Sequence, residues 1–198
     1  MGRPRTFGEG HALEAAMRLF WEKGYEATST QELCEATGLG RSSIYNTFTS
    51  KHALYVRALE HYLDRTAGEQ LAILENPERP TVSRLRDLLT AIIDTEETHR
   101  REGRNIGCLG VNSSVEFSGR DPEVAEVLNR DLRRRLEVLR ETVASGQRTG
   151  EISGTHEAKE VALFLNSTIA GMRVSAQNGA DRATLESIAT VALEALIP

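Results

Sequence analysis

The segment "RSSIYNTFTSK", Arg41 to Lys51, packs hydrogen-bonding side chains onto about three turns' worth of chain. Ile44 and Phe48 stand at i and i+4 and supply one apolar side, so Arg41, Ser42, Ser43, Tyr45, Asn46 and Thr47 fall outward or at the N-terminal tip of a helix. A guanidinium in that position can grip guanine O6 and N7 bidentately, and an asparagine amide can grip adenine N6 and N7, each pairing worth about 1–3 kcal/mol of discrimination between bases. The Tyr45 and Thr47 hydroxyls suit phosphate oxygens, and Lys51 suits another, reinforced by the positive end of the helix it starts. Two plainer readings stand beside this one: the serines as helix-start chemistry, and Tyr45 with its ring in the core and its hydroxyl at the surface.

Such a helix needs elements to present it. "HALEAAMRLFWEKGY" places Leu13, Ala16, Met17 and Phe20 on one helical face and ends at Gly24 with Lys23 in the last turn. Ser29 and Glu32 have capping-box spacing ahead of Leu33 and Ala36, which predicts a short second helix from about Thr30 to Gly38. Gly38 allows a sharp turn, a third helix covers about 41–48, and a fourth begins at Ser50-Lys51 with Leu54, Leu59 and Leu63 along it. Two short helices joined through a glycine are the layout of a helix-turn-helix, whose second helix enters the DNA major groove. The prolines of "NPERP" (76–80) interrupt the chain, and further helices are predicted near 81–101, 107–118, 122–147, 156–177 and 182–197. Asp121-Pro122 marks one start, and Gly146, Gly150, Gly154 and Gly179 punctuate ends. The fold class is therefore all-α, with about nine helices: a helix-turn-helix domain over 1–52 and a helical domain over 53–198.

The stretch "AMRLFWEKGYEATSTQELCEATGLGRSSIYNTFTSKHALYVRAL" resembles the N-terminal DNA-binding domain of the TetR family of bacterial transcriptional regulators. The "LF..KGY..TS" entry, the glycine of the turn and the "IY..F.SK..L" exit carry the likeness over residues 10–60. It implies that Arg41, Ser42, Ser43 and Asn46 read bases in double-stranded operator DNA, while Thr30, Gln31, Tyr45, Thr47 and Lys51 contact its backbone. Arg3 and Arg5, in an N-terminal arm, are further candidates. Gly40 departs from the family's usual capping serine, which weakens the start of the third helix by a few tenths of a kcal/mol or so.

The body resembles one subgroup of the family, less densely, through "IGCLGVNSSVEF", "SGQRTGEI" and "LFLNSTIAGMRVSAQNGADRATLESIATVALEAL". "AKEVALFLNSTIAGMRV" is apolar around most of its circumference, and Leu185, Ile188, Ala189, Ala192 and Leu196 share a face with Val191 and Ala195 beside it. So much apolar surface on a terminal helix pair predicts a homodimer through the last two helices, the alternative being a fully intramolecular bundle. The resemblance also implies a pocket for a small organic effector. Cys108, Asn112 and Glu116 stand at i, i+4 and i+8, and Phe164, Asn166 and Met172 come from a helix expected nearby. Taken singly, Asn112 and Glu116 read rather as caps on neighbouring helices. Cys108 reads either as a small buried hydrophobe or as a thiol sensor of oxidants or electrophiles. Cys34 reads as packing.

The rest of the composition narrows the field by exclusion. Net charge is −5, with seven Lys/Arg and seven Asp/Glu in residues 1–60, so any DNA-binding surface must be a local basic face. The longest apolar run is "VALFL", far short of a membrane span, and the first residues lack a secretory apolar region; the expectation is a cytoplasmic protein with no membrane partner. Two distant cysteines make neither a disulfide framework nor a zinc pattern, and no metal or cofactor is expected. The histidines, at 11, 52, 61, 99 and 156, show no paired metal spacing and no nucleophile elbow or phosphate loop accompanies them, so they read as solvated. A catalytic pair such as His99 with Glu116 is the enzyme reading, and a helical small-molecule carrier is another; the family resemblance implies a ligand-responsive repressor instead.

Overall fold

The computed structural model describes residues 5–104, 106–117 and 119–198, with side chains from residue 8 onward. Among the described residues there are nine α-helices and no strand: α1 (Arg5–Lys23), α2 (Thr30–Thr37), α3 (Arg41–Phe48), α4 (Lys51–Leu74), α5 (Thr81–Arg101), α6 (Leu109–Phe117), α7 (Pro122–Thr149), α8 (Ala158–Gln177) and α9 (Arg182–Glu194). The all-α reading is confirmed. Arg3 lies outside the described residues; Arg5 opens α1 rather than an extended arm, and its side chain is outside the described set.

The caps are where the residue types put them. Ser29 Oγ accepts from the Glu32 N–H at 3.2 Å, and Glu32 Oε2 accepts from the Ser29 N–H at 2.8 Å. Lys23 joins the Glu32 carboxylate, and this contact, followed by the two Ser29 bonds, lowers the Glu32 pKa to about 2. Gly38 closes α2 in the left-handed region at φ 68°, and Gly40 starts α3 with no side-chain cap. Asp121 Oδ1 accepts from the N–H groups of Glu123 (3.0 Å) and Val124 (3.1 Å) at the head of α7.

Gly146 does not punctuate an end. It is buried inside α7, where an added Cβ would stand 2.8 Å from Thr81 Cγ2 and 2.9 Å from Ile152 Cδ1. The missing side chain permits close packing, a role that sequence position near a helix end conceals.

The chain forms two compact units. One comprises the residues up to Asp64 together with Leu109–Leu128; the other is Arg65–Cys108 with Asn129–Pro198. In the first, α1 to α3 and the first half of α4 close on Ala16, Met17, Phe20, Leu33, Ile44, Phe48, Leu54 and Leu59, all buried. The α6 helix belongs to this unit, where the Tyr55 hydroxyl meets Ser113 Oγ at 2.7 Å. Ser113 also donates to the Leu109 carbonyl at 2.6 Å, so its single proton is committed and Tyr55 is the donor. Burial pushes the Tyr55 phenol up to about 12, which keeps it a donor across the physiological range.

In the second unit, Leu85, Leu88, Leu89, Ile92 and Ile93 of α5 pack with Leu139 and Val143 of α7, Leu165, Ile169 and Met172 of α8, and Leu185 and Leu193 of α9. That core leaves a strip of apolar residues in solvent: Leu163, Phe164 and Val174 on α8 and Val191 and Ile197 at the C-terminal end. No helix among the described residues is long and apolar enough to cross a membrane.

Candidate DNA-binding face

Within the first unit, Ile44 and Phe48 turn inward and Arg41, Ser42, Ser43, Tyr45, Asn46 and Thr47 are all exposed. Tyr45 is 38% exposed, so its ring is not a core element. Hydrogen bonds from Thr30 first, then from Arg41, hold the Tyr45 hydroxyl below the usual phenol range. The Arg41 guanidinium lies 5.9 Å from the Tyr45 ring centroid, a cation–π contact. Arg41 therefore projects from the tip of α3 with its guanidinium oriented by the ring, and has less rotamer freedom to lose in any further contact. Gln31 is exposed on α2 and donates to Glu35 at 3.0 Å.

Lys51 is set differently. Its Nζ sits 4.3 Å from the centroid of Tyr25, half-buried at the first residue of α4. The Tyr25 ring is boxed by Tyr55 at 5.0 Å, Phe117 at 5.4 Å and His52 at 6.2 Å. The lysine can thus offer a phosphate a positive charge in a fixed place.

The six effector candidates are divided between the two units. Asn112 and Glu116 are in the first unit; Cys108, Phe164, Asn166 and Met172 are in the second. Glu116 caps a backbone turn: its two carboxylate oxygens accept the N–H groups of Tyr25 (3.1 Å) and Glu26 (3.0 Å). Asn112 is half-buried. Met172 belongs to the core, Phe164 is 45% exposed, and Asn166 Oδ1 accepts from Arg135 at 3.1 Å.

Cys108, 4% exposed, lies 2.8 Å from Nη1 of Arg173, itself 7% exposed. Near Arg173, burial raises the Glu96 pKa and lowers that of His99, in each case more than the neighbouring charges do. Nor are all the histidines solvated: the His99 side chain is 13% exposed, and His52 Nε2 lies 2.6 Å from Asp121. Burial alone raises the Asp121 pKa, but the Val124 N–H, His52 and the Glu123 N–H together bring it below the usual carboxylate range.

Sequence reasoning missed Tyr25 as a seat for Lys51 and Arg173 as the partner of Cys108. A signal for the second was present, since Arg173 is the lone charged residue in the apolar run from Val161 to Ala176. Among the described residues no group of His, Cys, Asp and Glu is arranged to hold a metal.

Residues 12–58 match the model of the bacterial regulatory proteins, tetR family, and residues 81–192 match the tetracyclin repressor-like C-terminal domain. The chain belongs to the TetR family. It is 34% identical to the HTH-type transcriptional repressor ComR of Escherichia coli over 192 residues, covering 97% of this chain and 90% of ComR. It is 29% identical to the repressor DhaR of a Mycobacterium species, covering 98% of this chain and 94% of DhaR. A cysteine mutant of the TetR family regulator CifR, solved in complex with 26-base-pair double-strand operator DNA, superposes with a TM-score of 0.78 at 28% identity, covering 98% of this chain and 100% of that one. The TetR-family assignment makes the protein a transcriptional regulator and not an enzyme.

Proposed function

We propose that this TetR-family protein is a cytoplasmic repressor that binds a palindromic operator as a homodimer and releases it on binding a small organic effector. The observation that carries the reading is the exposed α3 face with Arg41 in cation–π reach of Tyr45, in a head that matches the family over residues 12–58. In this reading residues 1–52 bind DNA; Arg41, Ser42, Ser43 and Asn46 read bases, and Thr30, Gln31, Tyr45, Thr47 and Lys51 hold the backbone. Residues 53–198 take the effector and pair the two chains through α8 and α9. An effector that tilts α4 changes the separation of the two recognition helices, which DNA requires near one helical turn, about 34–36 Å. Coupling of about 1–3 kcal/mol between the two ligands is typical of such switches.

Two substitutions test the DNA face. Lys51→Ala should weaken binding to every duplex alike and lower the salt slope by about one, whereas Arg41→Ala should relax preference at one base pair, by about 1–3 kcal/mol. Selection of binding sites from random duplexes measures the second effect. An unchanged consensus with Arg41→Ala overturns the assignment of base readout.

A second reading is favoured by the Arg173–Cys108 contact: the effector is a soft electrophile and Cys108 its target. Conjugate addition of the thiolate forms a carbon–sulfur bond as the electrophile's carbon–carbon π bond breaks; the thiol proton goes to solvent, the α-carbon of the adduct takes one back, and the added group stands beside the buried guanidinium. Cys108→Ser should keep operator affinity yet resist release by N-ethylmaleimide, while Cys34→Ser should respond as the parent does. Equal release of both variants excludes Cys108 as the sensor.

A further inference from the structure

The Glu116 carboxylate is the acceptor for two consecutive backbone N–H groups, those of Tyr25 and Glu26, in the turn between α1 and α2. Gly24 precedes them with φ 81°, and a Cβ there would stand 3.3 Å from Glu116 Oε1, so the local backbone leaves room for the carboxylate to approach. The turn closes on itself through Thr28, whose hydroxyl donates to the Gly24 carbonyl at 2.6 Å and whose N–H donates to the Tyr25 carbonyl at 3.2 Å. The next residue of α6, Phe117, packs its ring on both Tyr25 (5.4 Å) and Tyr55 (5.1 Å). The backbone of Tyr25 is thus held by Glu116 and its ring by Phe117, and Lys51 rests over that ring.

We infer that Glu116 is a positioning residue for DNA binding: with Phe117 it fixes Tyr25, and Tyr25 fixes the Lys51 ammonium where a phosphate meets it. This rests on the DNA-binding reading above and extends it to the last turn of α6, a helix that touches no base in that reading. The physical chain is short. A carboxylate accepting two backbone N–H groups makes charge-assisted bonds, stronger than neutral ones, and a glutamine amide can reproduce only one of the two because its NH2 group turns a donor toward a donor. Losing one bond frees the turn, the ring leaves the lysine, and the cation spends its time among several rotamers instead of one. A shift of the last turn of α6 would thus reach Lys51 through Tyr25, without passing through α3.

The test is operator binding of the full-length protein at several salt concentrations, with Glu116→Gln, Tyr25→Leu, Lys51→Ala and the Glu116→Gln/Lys51→Ala pair. Glu116→Gln and Tyr25→Leu should each weaken binding by about two- to fivefold, the range of an exposed cation–π contact, and each should lower the salt slope by up to about one. In the Lys51→Ala background Glu116→Gln should cost nothing further, because the group it positions is gone. Circular dichroism at the assay temperature establishes that each variant is folded. A reduced slope for Lys51→Ala beside an unchanged slope for Glu116→Gln, or equal losses from Glu116→Gln in both backgrounds, overturns the role of Glu116 alone. A full slope for Lys51→Ala overturns the phosphate contact, and the inference falls with it.

Discussion

Replacing Val191 and Phe164 together with glutamate should turn the protein into a monomer and cut operator affinity by about 10²–10⁴-fold, the factor lost when two linked binding sites become independent. Val191 is 63% exposed and Phe164 45%, although each sits on a helix whose opposite face is fully packed. On α8, Phe164, Ser167, Gly171 and Val174 recur at helical spacing on the side turned away from Leu165, Ile169 and Met172. On α9 and at its C-cap, Val191 and Ala195 are exposed while Leu185, Ala189, Ala192 and Leu193 are buried. An apolar strip of this kind on a helix pair is what a twofold partner covers, and in an isologous interface each introduced carboxylate meets or nears its own copy, which doubles the penalty. Light scattering after size exclusion reports the mass, and a titration with a palindromic duplex reports the affinity. A double variant that remains dimeric places the interface elsewhere on the molecule.

Phe20→Ala should be the most damaging single change in the first unit, costing about 3–5 kcal/mol. The side chain is fully buried, and its ring meets Tyr55 edge-on at 5.0 Å and Tyr25 at 6.2 Å. Truncation leaves a cavity under two aromatic rings that are themselves tied down, Tyr55 by its hydroxyl on Ser113 and Tyr25 by the Phe117 ring and its Glu116-bound backbone, so neither is free to collapse into the space. For a chain of this length the loss corresponds to a fall of roughly 6–20 °C in Tm. Operator binding should fail with it at temperatures the parent tolerates, because the emptied space lies beneath the seat of Lys51. Denaturant melts checked against the Ile169→Val change, expected near 1 kcal/mol, separate cavity formation from general fragility. A cost under about 1 kcal/mol means that the site closes and the aromatic cluster is not rigid.

Local order was legible in the chain alone because it depends on near neighbours. The Ser29/Glu32 box, Gly38 in the left-handed region, Asp121 ahead of Pro122, and the inward pair Ile44 and Phe48 are all set by residues within one turn of each other. Helical periodicity is likewise local, which is why, apart from the earlier start of α1, the helices appear within a few residues of their predicted bounds. The outward face of α3 follows from the same arithmetic: once two positions are buried, the rest must point away.

What tertiary structure alone decided was partnership. Glu116 shared a predicted face with Cys108 and Asn112, yet its carboxylate is satisfied by backbone N–H groups some ninety residues earlier. Gly146 looked like a terminator and proved to be a contact surface. Lys51 had its charge and its helix start in the sequence, but not the ring that holds it; Arg173 was an isolated charge until Cys108 was brought beside it. Periodicity along one helix says which side is apolar. Which polar group meets which across hundreds of cubic ångströms of packed core depends on how every helix is packed at once, and no spacing within a single segment encodes that.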